Sequence, residues 1–452
     1  MLHHLAGKRI WICTLGCRSN QYEGEALANA FAELGAVLSD GPECDAAVLV
    51  SCTVTAVADK KCRQTIRRAR RVSPRAVIVA CGCWAQTLPE AEARELGIHI
   101  LVGNRRKRNL PALLAERFAN GEKEYRSCRG DVLHSTEWDS LFLAKPLLHT
   151  RAFVKVQDGC NHFCTYCAVP YARGFPVSRS PEDILEEVGS IVSSGCTDIV
   201  LTGVHLGLYG EYGTISLAEL VRRVASVDGL RRLRFGSIEP TGIDDELLRT
   251  LAATPSFQPH LHIPLQSGND GVLALMNRGY ASADFRDLVR RVRGFLGGDV
   301  HLSTDLLVGF PGEDGRAFEE TLAFIEECCF GKVHVFPFSP REGTKAFSLP
   351  DRASPQGVSS RTAKALETGR ALLGAYCARW IGRDVPVLVE SVSFSEREGG
   401  SLCSFQGLSP SFLRVTGRGI LHGNPDAFSP GKEVRVRITG TREDGLEGRL
   451  LA

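Results

Sequence analysis

The chain has 452 residues, 43% of them hydrophobic, and a formal net charge of +2. This length suits two or three domains with sizeable cores, and the lack of any run of about 18 apolar residues excludes a predicted membrane span. The 16 cysteines are too few for a disulfide scaffold, and without a signal-peptide pattern they predict a cytoplasmic protein whose clustered thiols serve metal binding or catalysis.

The N-terminal third predicts a parallel α/β sheet, because short apolar runs alternate with helical patterns between residues 8 and 120. The predicted strands are Arg9–Cys13, Ala46–Ser51, Ala76–Ala80 and His99–Val102. The predicted helices are Gln21–Leu34, Val57–Arg71, Leu88–Glu95 and Leu110–Ala119.

Three cysteines each follow a successive strand of this predicted sheet: Cys17, Cys52 and Cys83. Because ligands of parallel sheets bind beyond the carboxyl ends of the strands, these thiols can converge on one site. Cys13 and Cys81 lie inside predicted strands, and we expect them to face the core. From the residues alone, burial of all these cysteines as small hydrophobic side chains is an equally good interpretation.

Basic residues are concentrated in the second predicted helix. The segment Lys60–Arg75 carries eight Lys or Arg residues and no acidic residue. A solvated helix usually mixes both signs, so this composition indicates a phosphate-bearing partner. The alternative is that the arginines pair with acidic residues of the central domain. Four of them share one helical face: Arg63, Arg67, Arg70 and Arg71. A second basic cluster, Arg105–Arg108, follows the fourth strand.

Residues 146 to about 345 repeat the alternation of strand and helix six times, which predicts an open, partial (β/α)6 barrel. The sites of such barrels lie in the loops at the carboxyl ends of the strands. The predicted strands are Ala152–Gln157, Asp198–Leu201, Leu233–Phe235, Leu261–Ile263, Leu302–Leu307 and Val333–Phe336.

The loop after the first of these strands reads G-C-N-H-F-C-T-Y-C over residues 159–167. The thiolates of Cys160, Cys164 and Cys167 can turn toward one point, as ligands of an iron–sulfur cluster do. Since the next cysteine lies far downstream, one iron of a four-iron cluster would lack a protein ligand and stay open for reaction. The alternatives are a zinc site completed by His162 or three unrelated buried thiols.

The C-x3-C-x2-C spacing resembles the signature of the radical S-adenosylmethionine (SAM) enzymes, in which the open iron chelates SAM and electron transfer cleaves SAM to a 5′-deoxyadenosyl radical. Polar or glycine-rich breaks follow the other predicted strands, and glycine permits close approach of a ligand to the backbone. These breaks outline a SAM pocket, with Tyr166 either shielding the cluster or facing the adenine. The predicted SAM-binding residues are Tyr166, Gly203, Glu239, Gln266, Ser267 and Gly309.

From about Arg379 the pattern changes to β-strands separated by Gly, Pro and Ser, which predicts a small antiparallel barrel. Such barrels commonly bind RNA; the alternative is a purely structural cap. The predicted strands are Val385–Val392, Phe412–Thr416, Glu433–Thr439 and Leu446–Leu450. The basic residues of this segment are Arg414, Arg418, Lys432, Arg435, Arg437, Arg442 and Arg449.

Over essentially its whole length the sequence resembles the radical SAM methylthiotransferase family. The first part resembles the family through L-G-C-R-S-N-Q-Y-E, S-C-T-V-T and C-G-C-W-A-Q, and the centre through V-K-V-Q-D-G-C-N-H-F-C-T-Y-C and P-Y-A-R-G. The tail is similar to a TRAM domain, an RNA-binding barrel. The implied domains are residues 1–145 with an auxiliary cluster, residues 146–377 as the radical SAM core and residues 378–452 as the TRAM barrel.

The resemblance implies that two [4Fe–4S] clusters and SAM are the cofactors. Cys81 stands where the family usually has a small residue, so the choice between Cys81 and Cys83 as a ligand stays open. The implied ligands are Cys17, Cys52 and Cys83 for the auxiliary cluster and Cys160, Cys164 and Cys167 for the catalytic cluster.

Four motifs resemble the branch that acts on N6-threonylcarbamoyladenosine next to the tRNA anticodon: S-C-T-V-T-A-V-A-D-K-K-C-R-Q, S-I-E-P, H-L-H-I-P-L-Q-S-G-N-D and G-L-S-P-S-F-L-R-V. Ser51 stands where the family usually has Asn. That reaction adds a methylthio group to carbon 2 of adenine, a C–H that is not acidic enough for acid–base catalysis but can be reached by radical chemistry. The implied partners are the tRNA anticodon stem-loop and an electron donor such as a flavodoxin or ferredoxin, and we expect a monomer. The alternatives are branches acting on isopentenyladenosine or on a ribosomal-protein aspartate, or a non-enzymatic iron–sulfur RNA-binding protein.

Overall fold

A computed structural model describes residues 2–121, 124–211, 213, 215–397, 400–421 and 428–451. The chain divides into two compact units. Unit 1 comprises Met1–Gly229 and Ser339–Ser348, and unit 2 comprises Leu230–Phe338 and Leu349–Ala452. Among the described helices, none combines the length and the apolar composition needed to cross a membrane.

Unit 1 begins with a fully parallel sheet of six strands. These are β1 (Arg9–Thr14), β2 (Val37–Ser39), β3 (Ala46–Ser51), β4 (Val77–Gly82), β5 (Ile100–Val102) and β6 (Arg126–Cys128). Their spatial order is β2-β1-β3-β4-β5-β6, with every neighbouring pair parallel. The four predicted strands are confirmed as the centre of the sheet. The two edge strands were not predicted, because each is only three residues long and lacks the apolar run of a buried strand.

Five helices accompany this sheet: α1 (Arg18–Glu33), α2 (Ala56–Val72), α3 (Cys83–Thr87), α4 (Glu90–Glu95) and α5 (Leu110–Asn120). The helix predicted over Leu88–Glu95 begins only at Glu90, because Pro89 has no amide hydrogen and serves as the N-cap. Helix α3 was not predicted, and it begins at Cys83 itself.

Helix α2 shows why this basic segment is a stable helix. Its N-cap Thr55 accepts a hydrogen bond from the Ala58 amide at 3.1 Å, which satisfies an otherwise free donor of the first turn. Cys62, Ile66 and Ala69, spaced by four and three residues, are buried in the core beside β3 and β4. The helix therefore has one narrow apolar stripe, and its Lys and Arg residues occupy the rest of its surface.

Unit 1 continues with strands β7 (Ala152–Lys155), β8 (Gln157–Asp158), β9 (Val177–Ser178) and β10 (Asp198–Thr202) and with helices α6 (Val169–Arg173), α7 (Pro181–Ser193) and α8 (Leu217–Ala225). Strands β7 and β10 are parallel, whereas β8 and β9 form a short antiparallel pair. The strand predicted over Ala152–Gln157 is thus interrupted at Val156, whose amide donates to the Thr202 carbonyl at 2.9 Å. This interruption turns Gln157 and Asp158 toward the cysteine loop.

Unit 2 contains strands β11 (Arg232–Phe235), β12 (His260–His262), β13 (His301–Val308) and β14 (Lys332–Pro337) and helices α9 (Asp245–Ala252), α10 (Asp270–Leu275), α11 (Ser282–Leu296) and α12 (Gly315–Glu327). Strands β12, β13 and β14 form a parallel sheet in that order. All six central strands therefore lie where the sequence predicts them, and helices follow them in the chain.

The C-terminal part of unit 2 is a closed five-stranded barrel. It is preceded by helix α13 (Pro355–Ala378), and its strands are β15 (Asp384–Arg397), β16 (Gly400–Leu408), β17 (Arg414–Leu421), β18 (Glu433–Arg442) and β19 (Gly445–Leu450). Strands β17 and β19 pair in parallel and the other neighbours are antiparallel. Leu373, Tyr376 and Cys377 of α13 belong to the barrel core, so this helix and the barrel share one core. The strand β16 was not predicted.

Candidate functional site

The cysteine loop of residues 159–167 is held by contacts of its own backbone. Gly159 has a φ of +77°, and a Cβ there would lie 2.1 Å from the Phe175 carbonyl oxygen, so only glycine fits. The Cys160 amide donates to the Gly174 carbonyl at 2.9 Å. Two further amides point at loop sulfurs: His162 N lies 3.5 Å from the Cys160 sulfur and Val169 N lies 3.4 Å from the sulfur of Cys167. Such amide donors stabilise negative charge on a cluster ligand.

Gln157 fixes the base of this loop. Its Nε2 donates to the carbonyls of Asp158 and Gly159 at 3.0 and 2.8 Å, and its Oε1 accepts from the His205 amide at 2.8 Å. A Cβ on Gly203 would lie 2.9 Å from the same Oε1. Gln157 thus joins the cysteine loop to the turn that contains a predicted SAM residue. Gln157 was not predicted as a residue of the site, although its position in V-Q-D-G, directly before the cysteines, could have indicated this role.

The structure brings Cys17, Cys52 and Cys83 together at the carboxyl end of the first sheet. Cys17 is the N-cap of α1, and Cys83 begins α3. A Cβ on the neighbouring Gly16 would lie 2.6 Å from the Cβ of Cys52. Burial, together with the nearby Cys83 and Cys17, raises the pKa of Cys52 to about 12. Cys52 therefore lies near both other thiols, as the prediction of one shared site requires.

Cys81 lies apart from this set. It is fully buried inside β4. Burial raises the pKa of its thiol to about 12, while the charge of Lys107 lowers it and that of Glu23 raises it. Ser51 at the end of β3 donates to the Cys81 carbonyl and accepts from the Ala85 amide, which fixes the chain on both sides of Cys83. Cys83 thus lies beyond the end of β4, whereas Cys81 lies within it, and the choice of Cys83 as the third ligand stays a prediction.

Three cysteine thiolates can bind three irons of a four-iron cluster. Within the described residues, no group of three or more His, Cys, Asp or Glu side chains is placed to hold a single metal ion. A four-iron cluster accepts wider spacing, since each thiolate binds a different iron. A cation beside a ligand sulfur suits a thiolate, and Arg173 Nε donates to the Cys83 sulfur at 3.1 Å. Burial raises the pKa of the Cys83 thiol, and Arg173 opposes that rise.

A buried ionic network lies behind these cysteines. Lys155 Nζ is 2.8 Å from Glu23 and 3.0 Å from Asp158, and Lys107 Nζ is 3.3 Å from Glu23. Against the opposing effect of burial, Arg173 and the two lysines hold the pKa of Glu23 well below its usual range. Glu23 is therefore ionised at neutral pH. The network was not predicted, because its members are separated by up to 150 positions in the sequence.

The predicted SAM residues lie in both units. Tyr166 is half-buried in the cysteine loop, and Gly203 follows β10. In unit 2, Gln266 has a φ of +72°, and the buried Ser267 hydroxyl already bonds Thr321 at 3.1 Å.

The last two predicted SAM residues have structural contacts within unit 2. Glu239 pairs with Arg278. Gly309 donates its amide to Glu313 at 2.7 Å, and a Cβ there would lie 2.6 Å from Val358. Packing by itself thus requires glycine at this position.

A histidine row on the unit 2 sheet was also missed. His260 and His262 both contact the Ser303 hydroxyl at 3.0 Å, and His262 Nε2 lies 3.2 Å from Asp305. The H-L-H alternation in a strand, which places two histidines on one face, was the available signal.

The basic face of α2 differs from the predicted one. Arg63 is ion-paired with Glu92 at 2.6 Å, and Arg70 donates to the Leu96 carbonyl at 3.1 Å, so both serve unit 1 itself. The exposed basic residues form a stripe that we call the α2 stripe, and none of them is ion-paired within the described residues. The α2 stripe consists of Lys60, Lys61, Arg67, Arg68 and Arg71.

The outer face of the C-terminal barrel carries a row of arginines. The strand register places Arg418 opposite Arg449, and Arg449 opposite Arg437. Arg437 is neutralised by Asp384. Like charges directly opposite one another destabilise a sheet, so the fold itself does not require this pair of exposed arginines, Arg418 and Arg449.

Comparison with known proteins gives matches over nearly the whole chain. Residues 154–325 match the radical SAM superfamily, and residues 9–103 match the uncharacterized protein family UPF0004. The chain is 34% identical over 441 residues to the threonylcarbamoyladenosine tRNA methylthiotransferase MtaB of Bacillus subtilis, covering 97% of this chain and 95% of that protein. It is 32% identical over 453 residues to the tRNA-2-methylthio-N(6)-dimethylallyladenosine synthase of Cereibacter sphaeroides, covering 98% and 99%.

A solved structure shares the fold. The radical SAM methyltransferase TsrM from Kitasatospora setae, with cobalamin and a [4Fe–4S] cluster bound, superposes with a TM-score of 0.55 at 16% identity, covering 75% of this chain and 74% of that one. At this identity the likeness shows the fold alone. It confirms the predicted fold class, an α/β protein with a radical SAM core.

Proposed function

The chain belongs to the radical SAM methylthiotransferase family, and we propose that it adds a methylthio group to carbon 2 of N6-threonylcarbamoyladenosine beside the tRNA anticodon. The observation that carries this proposal is the presence of two separate three-cysteine sites within unit 1, a pairing that neither a simple radical SAM enzyme nor a zinc protein needs. The 34% identity to the Bacillus subtilis enzyme over 97% of the chain points to the threonylcarbamoyl branch.

Cys160, Cys164 and Cys167 would hold a [4Fe–4S] cluster that binds SAM at its open iron. When bound, this pair supplies a carbon radical strong enough to attack an aromatic C–H. The protein contributes order: Gly159 permits the tight turn of the loop, and Gln157 ties its base to the Gly203 turn. The amide donors at two of the sulfurs lower the energy of their negative charge.

Cys17, Cys52 and Cys83 would hold the auxiliary cluster, from which sulfur is delivered. Cys52 and Cys83 are buried and Cys17 is exposed, so a site built on them is closed on the side of the sheet and open on the side of Cys17. Burial of two ligands keeps water from their sulfurs. The exposed ligand leaves one side of the site accessible to a substrate.

The α2 stripe and the pair Arg418 and Arg449 would bind the tRNA, because exposed cations without acidic partners suit phosphates. The domain boundaries at residues 145 and 377, an electron donor such as a flavodoxin or ferredoxin, a monomeric state and a cytoplasmic location complete the proposal. The SAM contacts of Tyr166 and Gln266 belong to it too.

A second candidate is methylthiolation of dimethylallyladenosine, favoured by the 32% identity to the Cereibacter sphaeroides synthase. Mass spectrometry of tRNA nucleosides from cells with and without the gene decides between the two substrates. Loss of the methylthio form of threonylcarbamoyladenosine alone supports the first. Loss of the dimethylallyl form alone supports the second, and unchanged nucleosides contradict both.

The two cysteine sites are tested separately by alanine substitution. The triple variant of Cys160, Cys164 and Cys167 should keep about half of the wild-type iron and lose SAM cleavage. The triple variant at the auxiliary site should also keep about half of the iron but still cleave SAM. Full iron content in the auxiliary-site variant would contradict the auxiliary cluster. The auxiliary-site substitutions are Cys17→Ala, Cys52→Ala and Cys83→Ala.

A further inference from the structure

Arg173 is a fully buried side chain whose five N–H donors are all engaged. Its Nε donates to the Cys83 sulfur at 3.1 Å. Its Nη1 donates to Glu23 at 2.9 Å and to Asp158 at 3.0 Å. Its Nη2 donates to Asn20 at 2.6 Å and to Glu23 at 3.2 Å. Because arginine has five such donors, the guanidinium has a single fixed orientation, and a flexible lysine could not reproduce it.

The partners of Arg173 belong to both cysteine sites. Asn20 lies in the first turn of α1, three residues after Cys17. Its side-chain amide also donates to the carbonyl of Ser51, the residue before Cys52, at 3.0 Å. On the other side, Asp158 lies two residues before Cys160. Gly174, the residue after Arg173, accepts a hydrogen bond from the Cys160 amide through its carbonyl oxygen. Arg173 thus contacts Cys83, the segment after Cys17 and the residue Asp158 before the catalytic loop, and it reaches the segment of Cys52 through Asn20.

Around Arg173, buried cations outnumber buried carboxylates by four to three, although the exposed Glu137 also acts on Arg105. The third carboxylate of the network, Asp139, lies 4.0 Å from Lys107 Nζ. The buried Arg105 is a further cation, and it interacts electrostatically with Asp158 and Arg173. An uncompensated charge in a buried region is costly, and among these groups Arg173 is the one that contacts a cysteine sulfur. The four buried cations are Arg105, Lys107, Lys155 and Arg173, and the three buried carboxylates are Glu23, Asp139 and Asp158.

We infer that Arg173 is a positioning residue that holds the Cys83 thiolate as a ligand and sets the reduction potential of the auxiliary cluster. The inference rests on the assignment of Cys17, Cys52 and Cys83 under the proposed function. Reduction adds one negative charge to a cluster, and a cation in contact with a ligand sulfur favours the more negative state, since charges interact strongly in a buried region. Removing the cation therefore makes the cluster harder to reduce.

The test uses a parent in which Cys160, Cys164 and Cys167 are alanine, so that only the auxiliary site can hold iron. Arg173→Gln and Arg173→Lys are made in this parent. Arg179→Gln is the control, because Arg179 is also buried but pairs with Glu187 and contacts no cysteine within the described residues. After reconstitution with iron and sulfide, iron content is measured and the midpoint potential is titrated by electron paramagnetic resonance.

Arg173→Gln should reduce the equilibrium constant for cluster reduction at least tenfold, a fall of about 59 mV in potential for one electron. Arg173→Lys, which keeps the charge, should shift the potential less, and Arg179→Gln should leave it at the parent value. A parent-like potential in Arg173→Gln, or an equal fall in Arg179→Gln, overturns the inference.

Iron content decides the case in which Arg173→Gln loses its cluster altogether. Parent-like iron in Arg173→Lys then supports the role of the charge, and equal iron loss in both variants contradicts it. A parent without iron would remove the auxiliary cluster itself, so the assignment of its three cysteines would fail first and the inference would fail with it.

Discussion

The α2 stripe gives the sharpest test of tRNA binding. Arg67, Arg68 and Arg71 are exposed and are not ion-paired within the described part of the chain. Reversing all three charges, by substitution with glutamate, should weaken tRNA binding and also its dependence on salt. Each phosphate contact to a single strand contributes about −0.7 to the slope of log affinity against log salt, so three lost contacts change the slope by about 2. A fourfold rise in salt would then weaken the variant about 16-fold less than the wild type.

The assay is tRNA binding measured by filter retention or anisotropy over a salt series. Arg63→Gln is the matched control, because Arg63 lies on the same helix but pairs with Glu92 at 2.6 Å. Loss of this partly exposed pair should lower the free energy of unfolding by at most about 1 kcal/mol and leave the slope unchanged. A triple variant that retains the wild-type slope, or a control that loses as much of it, would refute the reasoning.

Three further predictions follow from single features. Replacing Arg418 and Arg449 of the barrel with glutamate should reduce the salt slope by about 1.4 without a loss of helix signal in circular dichroism, and an unchanged slope would leave the barrel as a structural cap. Gly159→Ala should displace the cysteine loop, because its Cβ would meet the Phe175 carbonyl oxygen at 2.1 Å; iron content should fall to about half, and full iron with full SAM cleavage would contradict this. Burial lowers the pKa of His301 to about 4, so the unfolded chain binds the proton first as pH falls below about 6.5. The free energy of unfolding should therefore decline by about 2 kcal/mol between pH 6.5 and 5 because of His301. His301→Gln should flatten the pH dependence of the thermal midpoint over that window. Parallel curves for the variant and the wild type would count against this role of His301.

The structure also changes how the barrel should be tested. A deletion that begins at residue 378 would remove the barrel from α13, although Tyr376 and Cys377 of that helix are part of the barrel core. Arg232, near the start of the central strands of unit 2, also pairs with Glu433 of the barrel. Deletion would therefore expose apolar surface and change stability together with RNA binding. Surface substitutions such as those at Arg418 and Arg449 separate the two effects.

The amino-acid sequence by itself determined the features that depend on local spacing. The loop from Cys160 to Cys167 is only eight consecutive residues, and its three cysteines could be proposed as ligands without a fold. The auxiliary site needed one more step, the rule that parallel strands end at one edge of the sheet, which predicts that Cys17, Cys52 and Cys83 converge. From the residues alone, burial of these thiols was an equal alternative, and the resemblance to the family favoured the site. Both predictions use strand periodicity and short spacing, which are properties of the chain itself.

Only the tertiary structure decided which polar residues serve those cysteines. The contact between Arg173 and Glu23 joins residues 150 positions apart, and no periodic pattern specifies such a pair. The face of α2 shows the same limit, since helical spacing grouped Arg63 with Arg67, whereas packing gave Arg63 the partner Glu92. A side chain's charge can be read from the sequence, but whether that charge is free for a ligand depends on which distant carboxylate the fold places beside it.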